Sequence, residues 1–285
     1  MALLNSFIRT PQAKIAVLET ASAGLPVLLL HGNSSCKEAF LKQMENPLFS
    51  RYRLIAIDLP GHGESSDATD PSIYSIPGYA DVAAQILQVL GINNAAVLGW
   101  SLGGHIGLEM LAREEVVRAL MIIGAPPFAR GPLGLMRAFH THVGLLLAGK
   151  ARLSNKEALR FAEVCWGTQS QSLFVDMIER TDVRARPQLF RSMMRAAGHD
   201  QRYVVEHSSA PIAVVNGSNE PFGRADYVKS LAYRNLWEGR CHVLHGAGHA
   251  PFAEMADEFN AIFGRFLADA QETCALLASH ERRSA

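Results

Sequence analysis

The 285-residue chain has no excess charge of either sign: 27 lysines and arginines balance 27 aspartates and glutamates. Without a basic field to hold phosphates, nucleic acid is excluded as an expected partner. Cysteine is scarce as well. The four, Cys36, Cys165, Cys241 and Cys274, stand far apart, which speaks against a disulfide framework or a zinc site and for reduced thiols. Long apolar runs are missing too, since no stretch approaches the roughly 20 residues that span a bilayer. Met1 to Thr10 also lacks a charged segment leading into an apolar one. The expectation is a protein that stays in the cytoplasm and has no membrane partner; no feature fixes an oligomeric state. What is present, 48% hydrophobic and 19% charged residues, suits one large globular domain or a core domain with an inserted lobe.

Short runs rich in Val, Ile and Leu recur at Lys14 to Leu18, Val27 to Leu30, Leu54 to Ile57, Ala95 to Leu98, Leu120 to Ile123, Ile212 to Val215 and His242 to Leu244. Several lack polar alternation, as strands covered on both faces do. Amphipathic stretches separate them, notably Tyr79 to Leu90, Leu102 to Arg113 and Asp257 to Ala270. This alternation predicts an α/β fold with a mostly parallel central sheet flanked by helices. It breaks between Pro127 and His207, where helical segments occur without a convincing strand. The expected organisation is therefore a core from residues 1–126 and 208–285, with residues 127–207 inserted as a helical cap. From Gln271 onward the chain reads as a frayed helical tail.

Ser101 lies in Gly99-Trp100-Ser101-Leu102-Gly103, between a predicted strand and a predicted helix. In that context G-x-S-x-G is a nucleophile elbow, whose glycines allow a turn sharp enough to expose the hydroxyl. A serine hydroxyl is a weak nucleophile at neutral pH, so it needs a base beside it and a third group to orient the base. Elbow hydrolases run serine, acid, histidine along the chain. His249, in Gly246-Ala247-Gly248-His249-Ala250-Pro251, follows the last predicted strand, and none of the other ten histidines has this setting. The acid belongs after Ile212 to Val215, where Glu220 is the only carboxylate before the next helical segment. The turn after the preceding strand, Gly124 to Pro127, offers no carboxylate. Oxyanion donors are expected from the backbone N–H groups of Leu102 and of Asn33, in the loop His31 to Ser35. The Asn33 amide is a further candidate for touching substrate, as are Gly32 and Trp100. Gly103 and Gly107 share one helix face and allow close approach to the sheet, and His62 reads as structural.

These motifs, with DLPGHGES at Asp58 to Ser65 between them, resemble the α/β-hydrolase superfamily across the whole chain. The chain is most similar to the metal-independent N-acyl-homoserine lactone hydrolases of that fold. The likeness rests on HGNSS (His31 to Ser35), GYAD (Gly78 to Asp81), GWSLGGHIG (Gly99 to Gly107), AVVNG with EPF (Ala213 to Phe222), NLWEG (Asn235 to Gly239) and AGHAPF (Ala247 to Phe252). Such enzymes resemble this chain in using glutamate as the triad acid. The resemblance implies opening of acylated homoserine lactones, the signals of bacterial quorum sensing, with no cofactor and no metal. It also implies a cap tyrosine near the acyl chain, whereas the one tyrosine between Pro127 and His207 is Tyr203. The positional counterpart is Phe161, which keeps the ring and loses the hydroxyl.

Other readings stay open at this point. A carboxylesterase of small acyl esters would use identical chemistry in a different pocket. A carbon–carbon bond hydrolase would need a polar pocket, which the apolar cap argues against. A ligand-sensing protein would have little use for a full triad. A metal-dependent lactonase would need more than His140 and His142, after which Val143 and Gly144 stand where further ligands would be required.

Overall fold

The structure, a computed structural model, describes residues 2–113, 116–167 and 171–284. Among these, eight strands form one sheet: β1 (Leu3–Arg9), β2 (Lys14–Thr20), β3 (Pro26–Leu30), β4 (Arg53–Ile57), β5 (Ala95–Trp100), β6 (Val117–Ile123), β7 (Ile212–Gly217) and β8 (Leu236–Leu244). Their order is β1-β2-β4-β3-β5-β6-β7-β8. The first two strands run antiparallel to their neighbours, and β3 to β8 run parallel. All seven strands expected from the sequence are present. The eighth, β1, was not legible because it is an edge hairpin arm with Leu4 and Phe7 half exposed, so no buried face marks it.

Parallel strands buried on both faces explain the unbroken apolar runs. Leu28, Leu30, Val97, Leu120, Ile122 and Val214 face one core cluster, while Val27, Leu29, Leu98, Met121, Ile123 and Val215 face another. The first cluster includes residues of the helices Ile76–Val89 and Leu102–Arg113. The second takes in Phe259, Phe263 and Phe266 of the helix Ala256–Ser284. That helix runs on past Ala270, where the sequence suggested fraying. The helix Ile76–Val89 begins three residues before the expected Tyr79: Pro77 fits the first turn, and the Ser75 side chain accepts the Gly78 N–H. β8 begins at Leu236 rather than His242. Its register slips, and Glu238 and Gly239 adopt positive φ, a bulge that hides the strand in the sequence.

Between β6 and β7 the described residues form six helices, Pro132–Ala138, Val143–Ala148, Asn155–Trp166, Gln171–Arg180, Ala185–Met194 and Gln201–His207. An isolated bridge, Phe139 to Gly223, is the sole β pairing of this stretch among the described residues. The chain leaves β3 toward β4 on one side of the sheet, and β5 pairs with β3 on the other. Crevices at such a switch point, outside the carboxyl ends of parallel strands, are where ligands bind in open α/β sheets. The loops after β3 and β5 meet there.

Candidate active site

Ser101 follows β5 directly, with φ at 54°, a left-handed conformation that costs energy for a residue with a side chain. Its neighbours make that turn feasible. A Cβ on Gly99 would lie 2.2 Å from the Gly103 carbonyl oxygen, and one on Gly103 would lie 2.0 Å from that of Leu30. Only glycine fits at either place, so the elbow packs backbone on backbone. The Ser101 N–H donates to the Ile123 carbonyl at 2.7 Å, which ties the turn to β6. Gly107 keeps the same helix close to the sheet, because its missing Cβ would meet Leu120 at 2.6 Å.

His249 and Glu220 come from the loops after β8 and β7. The imidazole is 2% exposed, and its Nδ1 lies 2.7 Å from Glu220 Oε2. The other carboxylate oxygen accepts the N–H groups of Phe222 at 2.8 Å and Gly223 at 3.2 Å. Burial pushes the Glu220 carboxyl up, but the neighbouring His249 and these three hydrogen bonds outweigh it and hold the group below its ordinary value. An ionised Glu220 fixes the proton on Nδ1 and leaves Nε2 as the nitrogen able to accept one. Ser101 and His249 line a single cavity. No hydrogen bond joins their side chains among the described residues, and catalytic hydrogen bonds often tighten only once substrate is bound.

Three supports of the histidine carry no signature that sequence reasoning could use. Gly124, at φ 59°, leaves room for the pair: a Cβ there would lie 2.6 Å from His249 Cε1 and 3.1 Å from Glu220 Oε2. Glu254 accepts the N–H groups of Gly248 at 2.9 Å and Ala250 at 3.1 Å, gripping the loop on both sides of His249. Trp100 is 1% exposed and donates its indole N–H to the His249 carbonyl at 2.8 Å. Its ring lies against Trp166, His249 and Phe252. Trp100 therefore braces the histidine as well as lining the cavity.

The N–H groups of Leu102 and Asn33 have no acceptor among the described residues, so both stay available to an oxyanion. Gly32 presses against Ser101, since its missing Cβ would meet the Trp100 ring at 3.0 Å and Ser101 Cβ at 3.2 Å. The Asn33 side-chain amide donates one N–H to the Ala148 carbonyl at 2.9 Å, which ties the side chain to the protein and narrows its freedom to turn toward substrate.

The cavity encloses about 50 Å³. Gly32, Asn33, Trp100, Ser101, Gly124 and His249 form its floor, with Phe139, Leu145, Ala148, Phe161, Cys165 and Phe222 around them. Phe161 thus lines the cavity from the helix Asn155–Trp166. Burial raises the Cys165 thiol well above its usual range, which keeps it protonated and unreactive.

The remaining candidates have structural work. His62 is fully buried beside His31 and Tyr79, and burial holds it down to about 3. His31 bonds the Gly32 carbonyl through Nδ1 and accepts the Leu59 N–H at Nε2, which joins the loops after β3 and β4. His142 caps the helix Val143–Ala148 by accepting the Gly144 N–H. Among the described residues one group of side chains of metal-ligating type, Cys36, Glu38 and Asp58, comes together. Lys37 already sits among them, 2.7 Å from Glu38 and from Glu64 and 3.1 Å from Asp58, so these carboxylates are engaged in ion pairs with a lysine.

A family model described as the alpha/beta hydrolase family matches residues 27–262. The chain belongs to this family. Among solved structures, N-acyl homoserine lactonase AidH complexed with N-butanoyl homoserine is 43% identical, with a TM-score of 0.91 over 94% of this chain and 97% of that one. A pimeloyl-[acyl-carrier protein] methyl ester esterase of Xanthomonas campestris pv. campestris is 31% identical over 88% of this chain and 98% of its own length. The enzyme of that description from Nitrosomonas europaea is 26% identical over 86% and 97%. This alpha/beta hydrolase is a carboxylic ester hydrolase of the serine type. Within the described residues no helix is long and apolar enough to cross a membrane.

Proposed function

We propose that this hydrolase opens the ring of N-acyl-homoserine lactones, and so quenches quorum signals, through a Ser101-His249-Glu220 triad beneath a cap formed by residues 127–207. The observation that carries the reading is the junction itself. An elbow serine and an imidazole bonded to a buried glutamate line one cavity, beside two uncommitted N–H groups. The likeness to AidH over nearly the full length of both chains supports the lactone as substrate.

In this mechanism His249 Nε2 takes the Ser101 proton as Oγ attacks the ring carbonyl, and Glu220 stabilises the resulting imidazolium. The N–H groups of Leu102 and Asn33 receive the oxyanion, an interaction whose loss costs roughly 3 to 4 kcal/mol per donor. The ring oxygen leaves with the histidine proton, yet stays tethered to the acyl-enzyme. Well-oriented tethered groups reach effective molarities of about 10⁵ M or more, so hydrolysis requires the new hydroxyl to swing away before water attacks. A cavity of about 50 Å³ is small beside the roughly 300 to 1,000 Å³ of ordinary ligand sites. Substrate therefore enters by displacing apolar cap side chains, Phe139, Leu145 and Phe161 among them.

A second reading, an esterase of small acyl esters, is favoured by one specific feature. Phe161 offers no hydroxyl to the acyl amide, and the Asn33 amide is tied to Ala148. The relatives named as pimeloyl-carrier methyl ester esterases point the same way. Comparing kcat/KM for N-butanoyl and N-hexanoyl homoserine lactones with that for p-nitrophenyl butyrate separates the two, with Ser101→Ala as the blank. The lactone reading requires the lactones to be turned over at least as efficiently; ester turnover with lactones left intact would replace it with the second reading.

A further inference from the structure

Arg186 is a buried arginine without an acid. It lies near the start of the helix Ala185–Met194, 2% exposed, and no carboxylate pairs with it among the described residues. Its guanidinium is held by neutral acceptors instead. Nε donates to the Lys150 carbonyl at 2.7 Å, and one terminal nitrogen to that of Ala151 at 2.9 Å. The other terminal nitrogen donates to the Ile178 carbonyl at 3.2 Å and to the Ser34 hydroxyl at 2.9 Å. Burying a charge unpaired is costly, and surface-exposed residues would join helix ends at far smaller cost. The placement calls for a reason beyond holding the cap together.

The partner outside the cap supplies that reason. Ser34 is fully buried and carries a positive φ of 59°, a strained conformation that its surroundings must enforce. Its hydroxyl, while accepting from Arg186, donates to the Asn33 Oδ1 at 3.2 Å. The Asn33 amide nitrogen in turn donates to the Ala148 carbonyl. A closed circuit results: guanidinium, Ser34 hydroxyl, Asn33 amide, and back to the cap at 148–151. Inside it sits the Asn33 peptide N–H, one of the two free donors beside Ser101. We propose that Arg186 is a positioning residue for catalysis: through Ser34 it sets the direction of the Asn33 N–H, so the oxyanion site is complete only while the cap is seated.

This rests on the reading of Asn33 as an oxyanion donor. The consequence is that cap and core do not divide the labour into binding and chemistry. Any change that loosens the 148–151 segment or Arg186 misaims a donor and slows the acyl-transfer step itself. A cap that only walls the pocket would alter substrate affinity.

The test is pre-steady-state acylation by p-nitrophenyl acetate, with the functional fraction counted by fluorophosphonate labelling, in wild type, Ser34→Ala, Arg186→Lys and Arg186→Met. Removing an oxyanion donor outright costs about 10²- to 10³-fold, so misaiming one should cost at least about 10-fold in acylation rate per labelled site. Ser34→Ala, which leaves Arg186 its three cap carbonyls, is expected to show this loss with the substrate dissociation constant from the pre-steady-state fit within about twofold. Arg186→Lys keeps the charge without the fork and should fall as Ser34→Ala does. Arg186→Met should fall furthest among the molecules that fold. The same factor should appear for a lactone and for an ester, because the oxyanion is common to both. An unchanged acylation rate per labelled site in Ser34→Ala, or a change confined to the substrate dissociation constant, overturns the proposal even if Arg186→Met merely unfolds. Absence of any labelling in wild type would instead strike at the hydrolase reading on which it stands.

Discussion

The floor of the proposed active site and the proposed cap, residues 127–207, are built on opposite principles. On the floor, position comes from backbone contact: Gly99 and Gly103 allow the turn at Ser101, Gly32 abuts Ser101, and Gly124 makes space for the His249–Glu220 pair. In the cap, position comes from long polar side chains reaching across gaps. Arg180 bonds the Ser65 carbonyl and Arg184 the Ala68 carbonyl, Asp182 takes the Tyr74 hydroxyl, and Arg186 holds the loop after β3. Burial differs in the same sense. Leu29 of the sheet is fully buried, whereas Leu133 and Leu146 of the cap are each 73% exposed. A floor made of backbone contacts fixes reaction geometry; a cap held by a few cross-links can yield to an entering substrate.

Changes on the floor should therefore be severe and specific to chemistry. Glu220→Gln keeps the shape but removes the charge that orients and stabilises the imidazolium, and kcat is expected to fall by about 10⁴ while KM stays near wild type. A loss under tenfold would remove Glu220 from the triad. Gly124→Ala pushes a methyl group into the pair, and a displacement near 1 Å costs about 10²-fold in kcat. Gly91→Ala is the control, because Gly91 also has positive φ, 68°, but an added Cβ meets nothing within 4 Å. If both variants keep full activity per folded molecule, the floor is more compliant than described.

The junction between the regions should show in acid. Burial holds His62 down to about 3 and His105, bonded to Gln201 of the cap, down to about 4. Unfolded, both titrate near 6.5, so below that pH the unfolded chain binds more protons. Stability is then lost as pH falls from about 6.5 toward 4, with a slope of about 1.4 kcal/mol per pH unit for each histidine. The depressed Glu220 adds to the loss only lower, its contribution being complete above about 4.5 and disappearing as pH falls through its folded value. Calorimetry across pH 7 to 4 should show Tm declining from the start; a flat Tm down to pH 5 would contradict it. The smallest effect belongs to the cap wall. Phe161→Tyr should raise the preference for N-acyl lactones over simple esters by about fivefold, the worth of one hydrogen bond of about 1 kcal/mol. An unchanged ratio would mean that position 161 does not meet the acyl amide.

This division also explains what could be read in the sequence. The inner strands announced themselves as Val, Ile and Leu runs, because burial on both faces leaves no polar position. Ser101, Glu220 and His249 stood out because each sits in a turn directly after such a run. Residues acting through space or backbone went unread. Gly124 matters for an absent side chain, Glu254 for two peptide N–H groups, and Arg186 for three carbonyls in two separate segments. None of these partners has a residue type to recognise. The anchor of the Asn33 amide went unread for a related reason: its acceptor, the Ala148 carbonyl, lies 115 residues away.

The assignment of Ser101 as nucleophile can be tested directly by intact-mass analysis and peptide mapping after reaction with a fluorophosphonate. One adduct per chain, located on Ser101, formed far more slowly in Glu220→Gln and lost in Ser101→Ala, is the predicted result. An unmodified wild-type chain, or an adduct mapping to any other residue, would contradict it.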